Sequence, residues 1–392
     1  MPTAAARFSS IEKSATYAVL DLVRQLRAQG VDVLDLGGGE PDFGTPDHIA
    51  AEAITAIRNG FTHYTPSRGT PDLLDAIAGK LVKENGIPVD AATQVVATPS
   101  AKHALFSAVL TVLDAGDEII IPTPSWVSYA AMAQLAGGRP VFAPLDAHDG
   151  FRLSRAALEA ALTGRTRAVL VNTPNNPTGR LLDREEAALL VDFAREHDLF
   201  VISDEIYEKI NYTGRTHVSP AALPGGAERT LTVNGFSKAY AMTGWRLGYL
   251  AGPAEVITEV LKVQQHSVGC AGSFVQRGGT AALTGPQEPI RAMTAQYAAR
   301  RDRLVAGLNR LPGVSCAAPE GALYVFPDIR GTGRGDSSRF ATWLLNEAGV
   351  AVTPGAAFGP GGEGHIRLSF ATSREVIDEA LHRMAAALAP AD

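Results

Sequence analysis

The sequence predicts an α/β protein built on a mostly parallel sheet, followed by a smaller α+β unit. Three observations lead there. Short apolar runs of strand length alternate with helical patterns through residue 251 of the 392, as expected of strand–crossover–strand units. Strand-length runs alternating with helices argue a mostly parallel sheet with helices on both faces. Past Gly285 the alternation gives way to a long helical stretch and a few separated strands. Hydrophobic residues make up 46% and charged residues 19%, which excludes a disordered chain or a coiled coil and provides for a large core.

The elements follow in order. A helix over 10–29 is stopped by Gly30, and a strand is expected over 33–36. A helix over 46–59 opens on Pro46, where a missing N–H does no harm. Apolar strands are expected at 94–98, 118–121, 140–143, 167–171 and 200–203, separated by helices over 100–113, 127–135, 155–162 and 184–197. Strands at 230–233 and 247–251 complete the region. Beyond it come a helix over 289–311, strands near 324–326 and 365–370, and helices over 338–347 and 374–388. This divides the chain into an arm over 1–45 that joins the small unit, a large domain over 46–285 and a small domain over 286–392.

The charge balance of −6, from 35 basic and 41 acidic residues, gives no support for a nucleic-acid or polybasic membrane partner. Two cysteines, Cys270 and Cys316, cannot frame disulfides or a structural zinc site. A reducing cytoplasm is the expected setting. Residues 1–10 contain no apolar signal core, and no run approaches a spanning helix.

Ligands of an open parallel sheet bind beyond the carboxyl ends of its strands. Pro99-Ser100-Ala101-Lys102 opens a helix there, and free N–H groups at a helix start suit a phosphate. Asn172 to Gly179 is a turn dense in proline and asparagine. Asp204 ends an apolar strand, either as a cap or as a buried charge with a cationic partner. Gly235-Phe236-Ser237-Lys238 follows another strand, with Arg246 eight residues on. Each is ordinary alone. Together they supply an anion cradle, an amide donor, an acid, a lysine and an arginine, the parts needed to hold pyridoxal phosphate. Two competing motifs fail on context. Gly359 to Gly364 matches G-x-G-x-x-G by letters but precedes a strand and opens no helix. Gly235 to Ala239 lacks the last glycine of a nucleophile elbow, and His365 with Asp336 is only a loose choice of partners.

The chain resembles the class I, fold-type I pyridoxal-phosphate aminotransferases, in the bacterial aspartate-aminotransferase-like branch. The resemblance rests on Gly39-Glu40-Pro41-Asp42-Phe43, Asn175-Asn176-Pro177-Thr178-Gly179, Ser203-Asp204-Glu205-Ile206-Tyr207, Ser237-Lys238 and Gly244-Trp245-Arg246-Leu247-Gly248. It implies a fold-type I transferase with a large, mostly parallel seven-stranded-type sheet domain and a smaller α+β domain. It implies that Lys238 forms the Schiff base and moves the proton, with Asp204 on the pyridinium nitrogen. Tyr207 and Asn176 would bond the ring's phenolic oxygen, and Trp126 would stack on the ring. Ser100, Ala101, Lys102, Ser237 and Arg246 would hold the cofactor and its phosphate. Tyr64 would reach the phosphate of a neighbouring subunit, so a homodimer with shared sites is implied. Arg367 would grip the substrate α-carboxylate, with Gly39, Asn176 and Trp126 beside it and Tyr17 near the side chain. No metal is implied. The expected reaction is ping-pong transfer of an amino group between an L-amino acid and a 2-oxo acid; the alternative is a lyase, decarboxylase or oxidase on the same fold.

One physical check supports the role of Arg367. Period-two alternation sets His365, Arg367 and Ser369 on one strand face, and an arginine there can offer a carboxylate two parallel N–H bonds. The substrate side chain is less legible. Positions where dicarboxylate-specific relatives carry a cation hold Leu110, Glu12 or Lys13, and the uncharged or His-containing segment 263–266. These departures leave room for a neutral, apolar or aromatic substrate.

Overall fold

The computed structural model describes the backbone of residues 15–389, with side chains from 18 onward, and the isolated positions Ala5, Phe8 and Ile11. Helix α1 (Ala15–Ala28) and strand β1 (Leu34–Asp35) lead into α2 (Asp47–Arg58) and α3 (Pro71–Lys80). Then β2 (Val95–Thr98), α4 (Ala101–Val112), β3 (Glu118–Thr123), α5 (Ser128–Leu135), β4 (Arg139–Pro144), α6 (Arg155–Ala161), β5 (Thr166–Asn172), α7 (Arg184–Glu196) and β6 (Phe200–Asp204) alternate. Strands β7 (Thr230–Gly235) and β8 (Gly248–Ala251) precede three helices, α8 (Ala254–Ser267), α9 (Ser273–Thr284) and α10 (Glu288–Leu308). The chain ends with β9 (Tyr324–Val325), α11 (Ser337–Ala348), β10 (Val350–Ala351), β11 (Thr353–Pro354), β12 (Ile366–Ser369) and α12 (Arg374–Leu388).

Seven strands form one sheet in the order β2-β8-β7-β6-β5-β3-β4. Strand β8 is antiparallel to both β2 and β7; the other neighbours are parallel. Every residue of β2, β3, β7 and β8 is buried, as expected of strands covered on both faces. The edge strand β4 carries Arg139, Pro140 and Pro144 and is only partly covered, a composition that blunts further strand pairing. Helix α7 opens on a capping box: the Asp183 side chain accepts from the Glu186 N–H, and the Glu186 side chain accepts from the Asp183 N–H. Elsewhere β12 lies between β11 and β9, antiparallel to both, and β1 pairs in parallel with β10.

Three helices, α3, α8 and α9, go beyond the elements expected from sequence. In α8 the buried Val256, Ile257, Val260 and Gln264 keep helical spacing, so the signal was there to read. In α9 it is masked by Gly278 and Gly279, which are poor helix formers. Packing requires them. A Cβ at Gly278 would lie 2.6 Å from the Trp245 ring, and one at Gly279 would lie 2.4 Å from Leu247.

The topology defines the position of the site. Parallel strands bring the ends of β2, β3, β5, β6 and β7 to one edge. Because β8 runs the other way, its first residue Gly248 lies opposite Thr98 and Gly235 at that same edge. Arg246, just ahead of β8, is thereby delivered to it.

Candidate active site

A cavity of about 510 Å³ opens at that edge, within the range of small-molecule sites. Gly39, Ser100, Ala101, Lys102, Trp126, Asn176, Asp204, Tyr207, Ser237, Lys238, Arg246 and Arg367 all line it.

The turn after β2 forms its anionophilic wall. Ser100 adopts φ 104° and caps α4, its hydroxyl accepting from the His103 N–H at 3.3 Å. Gly248 packs against this helix start. A Cβ there would come within 2.2 Å of the Ala101 nitrogen, so only glycine leaves room for the first turn of α4 at this edge. Lys102 stands 4.8 Å from the centre of the half-buried Trp126 ring. Arg246 sits in the left-handed region at φ 56°, is exposed, and donates to the Thr243 carbonyl at 2.7 Å.

Asp204, 3% exposed, accepts from the Tyr129 hydroxyl at 2.7 Å and from the Ile206 N–H at 3.2 Å. Among the described residues no salt bridge reaches it. Burial pushes its carboxyl up to about 6, against the pull of the Tyr129 bond. Of the two expectations for this acid, the structure shows the buried one: it accepts from the Ile206 N–H and Tyr129, and Lys238 acts on it only from a distance. Lys238, half-buried, donates to the Gly39 carbonyl at 2.5 Å, and its amine lies 5.9 Å from the centre of the Tyr207 ring. The Tyr207 hydroxyl shares a 2.8 Å bond with that of Tyr324, and burial first of all holds its pKa well above the ordinary phenol value.

The carboxyl of Asp204 has a consequence for the empty chain. The ordinary pKa is 3.8, and the folded value is about 6. Between these, the folded chain holds a proton that the unfolded chain has lost, so this group's contribution to stability falls as pH rises through that window. Asp204→Asn is therefore expected to stabilise the cofactor-free protein at pH 8 by about 1–3 kcal/mol and to have little effect at pH 4. Thermal melts of the cofactor-free variant at the two pH values check this; an equal shift at both would remove the carboxyl's titration as its cause.

Arg367 on β12 is 1% exposed. It donates to Asn176 Oδ1 at 2.9 Å and to the Gly37 carbonyl at 2.6 Å, and packs between Tyr324 and Phe358 at 4.3 and 5.0 Å from the ring centres. Its buried Nε has no hydrogen-bond partner, so the guanidinium retains capacity for an incoming acceptor.

Behind the segment that carries Asp204 and Tyr207, Glu205 and Glu208 point into a buried polar cluster. Glu205 accepts from Ser203 at 2.9 Å and Ser219 at 2.6 Å and lies 3.0 Å from His217 Nε2. Glu208 pairs with Lys80 and accepts from Asn85 at 2.6 Å. Burial opposes ionisation of Glu208, yet Lys80 beside it brings the carboxyl down to about 2. Burial likewise opposes charging of His217, and the Glu205 carboxylate reverses this and raises its pKa. Paired charges on the hidden side thus anchor the segment whose other side chains face the cavity.

Of the remaining sequence candidates, Tyr64 is 95% exposed and does not line the cavity. Tyr17 lies on α1, with its side chain outside the described residues, as are Glu12 and Lys13. Leu110 lies on α4, away from the cavity wall. Sequence reasoning gave no role to Tyr129, Tyr324, Gly37 or Arg24, which meet the cavity or its side chains. Tyr129, in the first turn of α5 and three residues after Trp126, was within reach of pattern reasoning; Tyr324 left no local trace.

The arrangement can seat an aromatic cation bearing a phosphate, with an amine beside it and a bidentate donor for a carboxylate. Residues 31–384 match the family described as aminotransferase class I and II. The chain is 53% identical to an aspartate aminotransferase of Musicola paradisiaca, covering 100% of this chain and 98% of that one. It is 43% identical to aromatic-amino-acid aminotransferase 2 of Thermococcus litoralis, covering 91% and 92%. The structure superposes with a TM-score of 0.93 on the aspartate aminotransferase of Thermus thermophilus with maleate, at 42% identity over 99% of this chain and 100% of that one.

Proposed function

We propose, given that this chain belongs to the class I and II aminotransferase family, that the cavity at the sheet edge is its active site. The chain is an enzyme, a transaminase that uses pyridoxal phosphate. It moves an amino group between an amino acid and a 2-oxo acid in two half-reactions. Full-length relatives named as aminotransferases favour this over lyase, decarboxylase or oxidase chemistry. The observation that carries the site reading is the meeting of Lys238, Asp204 and Arg367, from three distant parts of the chain, in one cavity.

The side chains fit the cofactor. Asp204 offers a buried carboxylate to its ring nitrogen, and Trp126 offers an aromatic face. Ser100, the N–H groups of Ala101 and Lys102, Ser237 and Arg246 offer donors to its phosphate. Tyr207 and Asn176 offer donors to its ring hydroxyl. When bound, the cofactor would supply a carbon to carry the amino group and a cationic ring to take up the electron pair released at Cα. Lys238 would hold the cofactor through its amine and, once the substrate amine has taken its place, would carry the proton between substrate Cα and cofactor C4′. Arg367 holds the substrate α-carboxylate, with Gly39 and Asn176 beside it. The Tyr207 hydroxyl keeps its proton and acts as a donor rather than a base.

For the donor we favour an amino acid with a carboxylate side chain. Besides Arg367, the cationic Arg24 and Lys102 line the cavity, and the Musicola and Thermus relatives are named for aspartate. An aromatic donor is the second reading, favoured by Trp126 in the cavity wall and by the Thermococcus relative. The exposed Tyr64 ring supports a homodimer in which it completes the partner's phosphate site. Residues 46–285 would then form the cofactor domain and 286–392 the small domain, with the arm over 1–45. Two free cysteines support a cytoplasmic setting; no described helix is long and apolar enough to cross a membrane.

Absorption spectra of the cofactor-loaded protein, taken with one amino acid added at a time, test this reading. Loss of the visible band with aspartate or glutamate, and appearance of a near-ultraviolet band, is the expected result. Conversion by tyrosine or phenylalanine alone would shift the assignment to aromatic donors, and a persistent band with vanishing substrate would point to a lyase or oxidase.

A further inference from the structure

We propose that Tyr129 is a positioning residue for the cofactor ring: its hydroxyl occupies one oxygen of Asp204, so that the carboxylate meets the ring nitrogen ionised and through its other oxygen. The proposal rests on the active-site reading above and extends it to a side chain outside that set of roles.

Tyr129 is 1% exposed and donates to Asp204 Oδ2 at 2.7 Å. The direction of that bond is settled by chemistry. Burial, followed by the nearby Asp204 charge, raises the phenol well above its ordinary pKa, so the proton stays on Tyr129. Asp204 Oδ1 takes a longer bond, 3.2 Å, from the Ile206 N–H. A carboxylate has about four acceptor positions, so Oδ1 retains capacity for a further donor. The main chain of Asp204 is fixed as well. Its carbonyl accepts from Asn172 Nδ2 at 2.8 Å and from the Thr173 N–H at 3.0 Å. Backbone and one carboxylate oxygen are therefore set before any ligand arrives, and preorganisation of this kind removes an ordering cost from binding.

Position in the chain strengthens the case. Trp126 just ahead of α5 and Tyr129 in its first turn sit three residues apart, and their rings meet edge to face, 5.4 Å apart at 86°. One short segment thus couples the aromatic wall of the cavity to the acid at its floor. The other charges acting on Asp204 come from two places. Lys238, after β7, favours the ionised carboxylate, and Glu205, next in the chain, opposes it. The Tyr129 hydroxyl adds to the favourable side without adding charge, so it does not compete with a cation for Asp204.

The test uses Tyr129→Phe, which keeps the ring and removes the hydroxyl, with Asp204→Asn as reference. Cofactor affinity is measured by absorbance titration at pH 6 and pH 8. Two probes are used: pyridoxal phosphate, and an analogue with carbon in place of the ring nitrogen. Wild type and Tyr129→Phe are expected to bind the carbon analogue equally. For pyridoxal phosphate, Tyr129→Phe should lose about tenfold in affinity at pH 6 and less at pH 8, because without the hydroxyl Asp204 holds its proton more tightly. An equal loss for both probes, or one independent of pH, would assign Tyr129 a packing role and overturn the proposal. So would full pyridoxal phosphate affinity in Tyr129→Phe alongside weakened binding in Asp204→Asn. Full affinity in Asp204→Asn would instead remove Asp204 from the ring nitrogen and overturn the active-site reading itself. If Tyr129→Phe does not fold, Tyr129→Gln, which keeps a donor, and Tyr129→Leu, which has none, replace it: a loss of pyridoxal phosphate affinity at pH 6 in Tyr129→Leu that Tyr129→Gln partly recovers supports the proposal, and an equal loss in both contradicts it.

Discussion

Lys238→Ala is expected to lower turnover by on the order of 10⁴-fold or more while leaving the fold and a weakened cofactor affinity intact. The size of the effect follows from two losses at one atom. The variant has no amine to bind the cofactor, and none at that position to move the Cα proton. Neighbouring groups cannot replace it. Tyr207 keeps its proton far above neutral pH, and Asp204 is engaged by Tyr129 and lies within the buried floor. Structurally the change is mild. Lys238 is half-buried and its recorded hydrogen bond is to the Gly39 carbonyl, which costs about 1 kcal/mol to lose. Rapid mixing of the cofactor-loaded variant with donor amino acid separates the outcomes: no spectral conversion is expected, and conversion at the wild-type rate would take the chemistry away from Lys238.

The second large effect is expected at Arg367. Arg367→Ala should raise KM for the amino acid and for the oxo acid alike by about 10- to 100-fold, the scale of a lost charge-assisted pair of hydrogen bonds. Both substrates carry the same α-carboxylate, so both half-reactions should suffer together. Arg367→Lys should recover little. Its ammonium keeps the charge but cannot bridge the Gly37 carbonyl, Asn176 and a carboxylate with a planar fork, nor stack between Tyr324 and Phe358 as a guanidinium does. Steady-state kinetics in both directions check this. Unchanged KM values, or a change in one half-reaction alone, would move the carboxylate grip elsewhere.

Which parts of this were legible in the sequence follows from where the information sits. Asn172, Asp204 and Lys238 stand at or shortly beyond the ends of strand-length runs, so the strand pattern itself pointed to them. Ser100 declared a helix start by its type and position. Arg367 could be set on one face of a strand by alternation, but its contacts to Gly37 and Asn176 span 330 and 191 residues and have no local signature. Strands β10 and β11 are two residues long, too short for a period to show, whereas the equally short β1 and β9 lie within apolar runs that were expected as strands. Arg246 reaches the edge because β8 is reversed, and strand direction is a tertiary property. Helix α9 was hidden by the two glycines that let it pack closely against Trp245 and Leu247.

The short glycine segment after β1 carries a last consequence. The Gly37 carbonyl accepts from Arg367 and the Gly39 carbonyl accepts from Lys238. Both cations are thus already engaged, by neutral acceptors two residues apart, before any ligand enters. A carboxylate arriving at Arg367 finds Nε without a partner and the terminal nitrogens held by Asn176 and the Gly37 carbonyl, so part of its grip is an exchange with a neutral acceptor. For the exchanged bond the gain is the difference between a charge-assisted and a neutral bond, about 1 kcal/mol. Departure is eased in the same measure, since the carbonyl can close behind the leaving molecule. A double-displacement catalyst, which must shed one product before it admits the next reactant, is served by grips of that kind: firm enough to orient, and readily reversed.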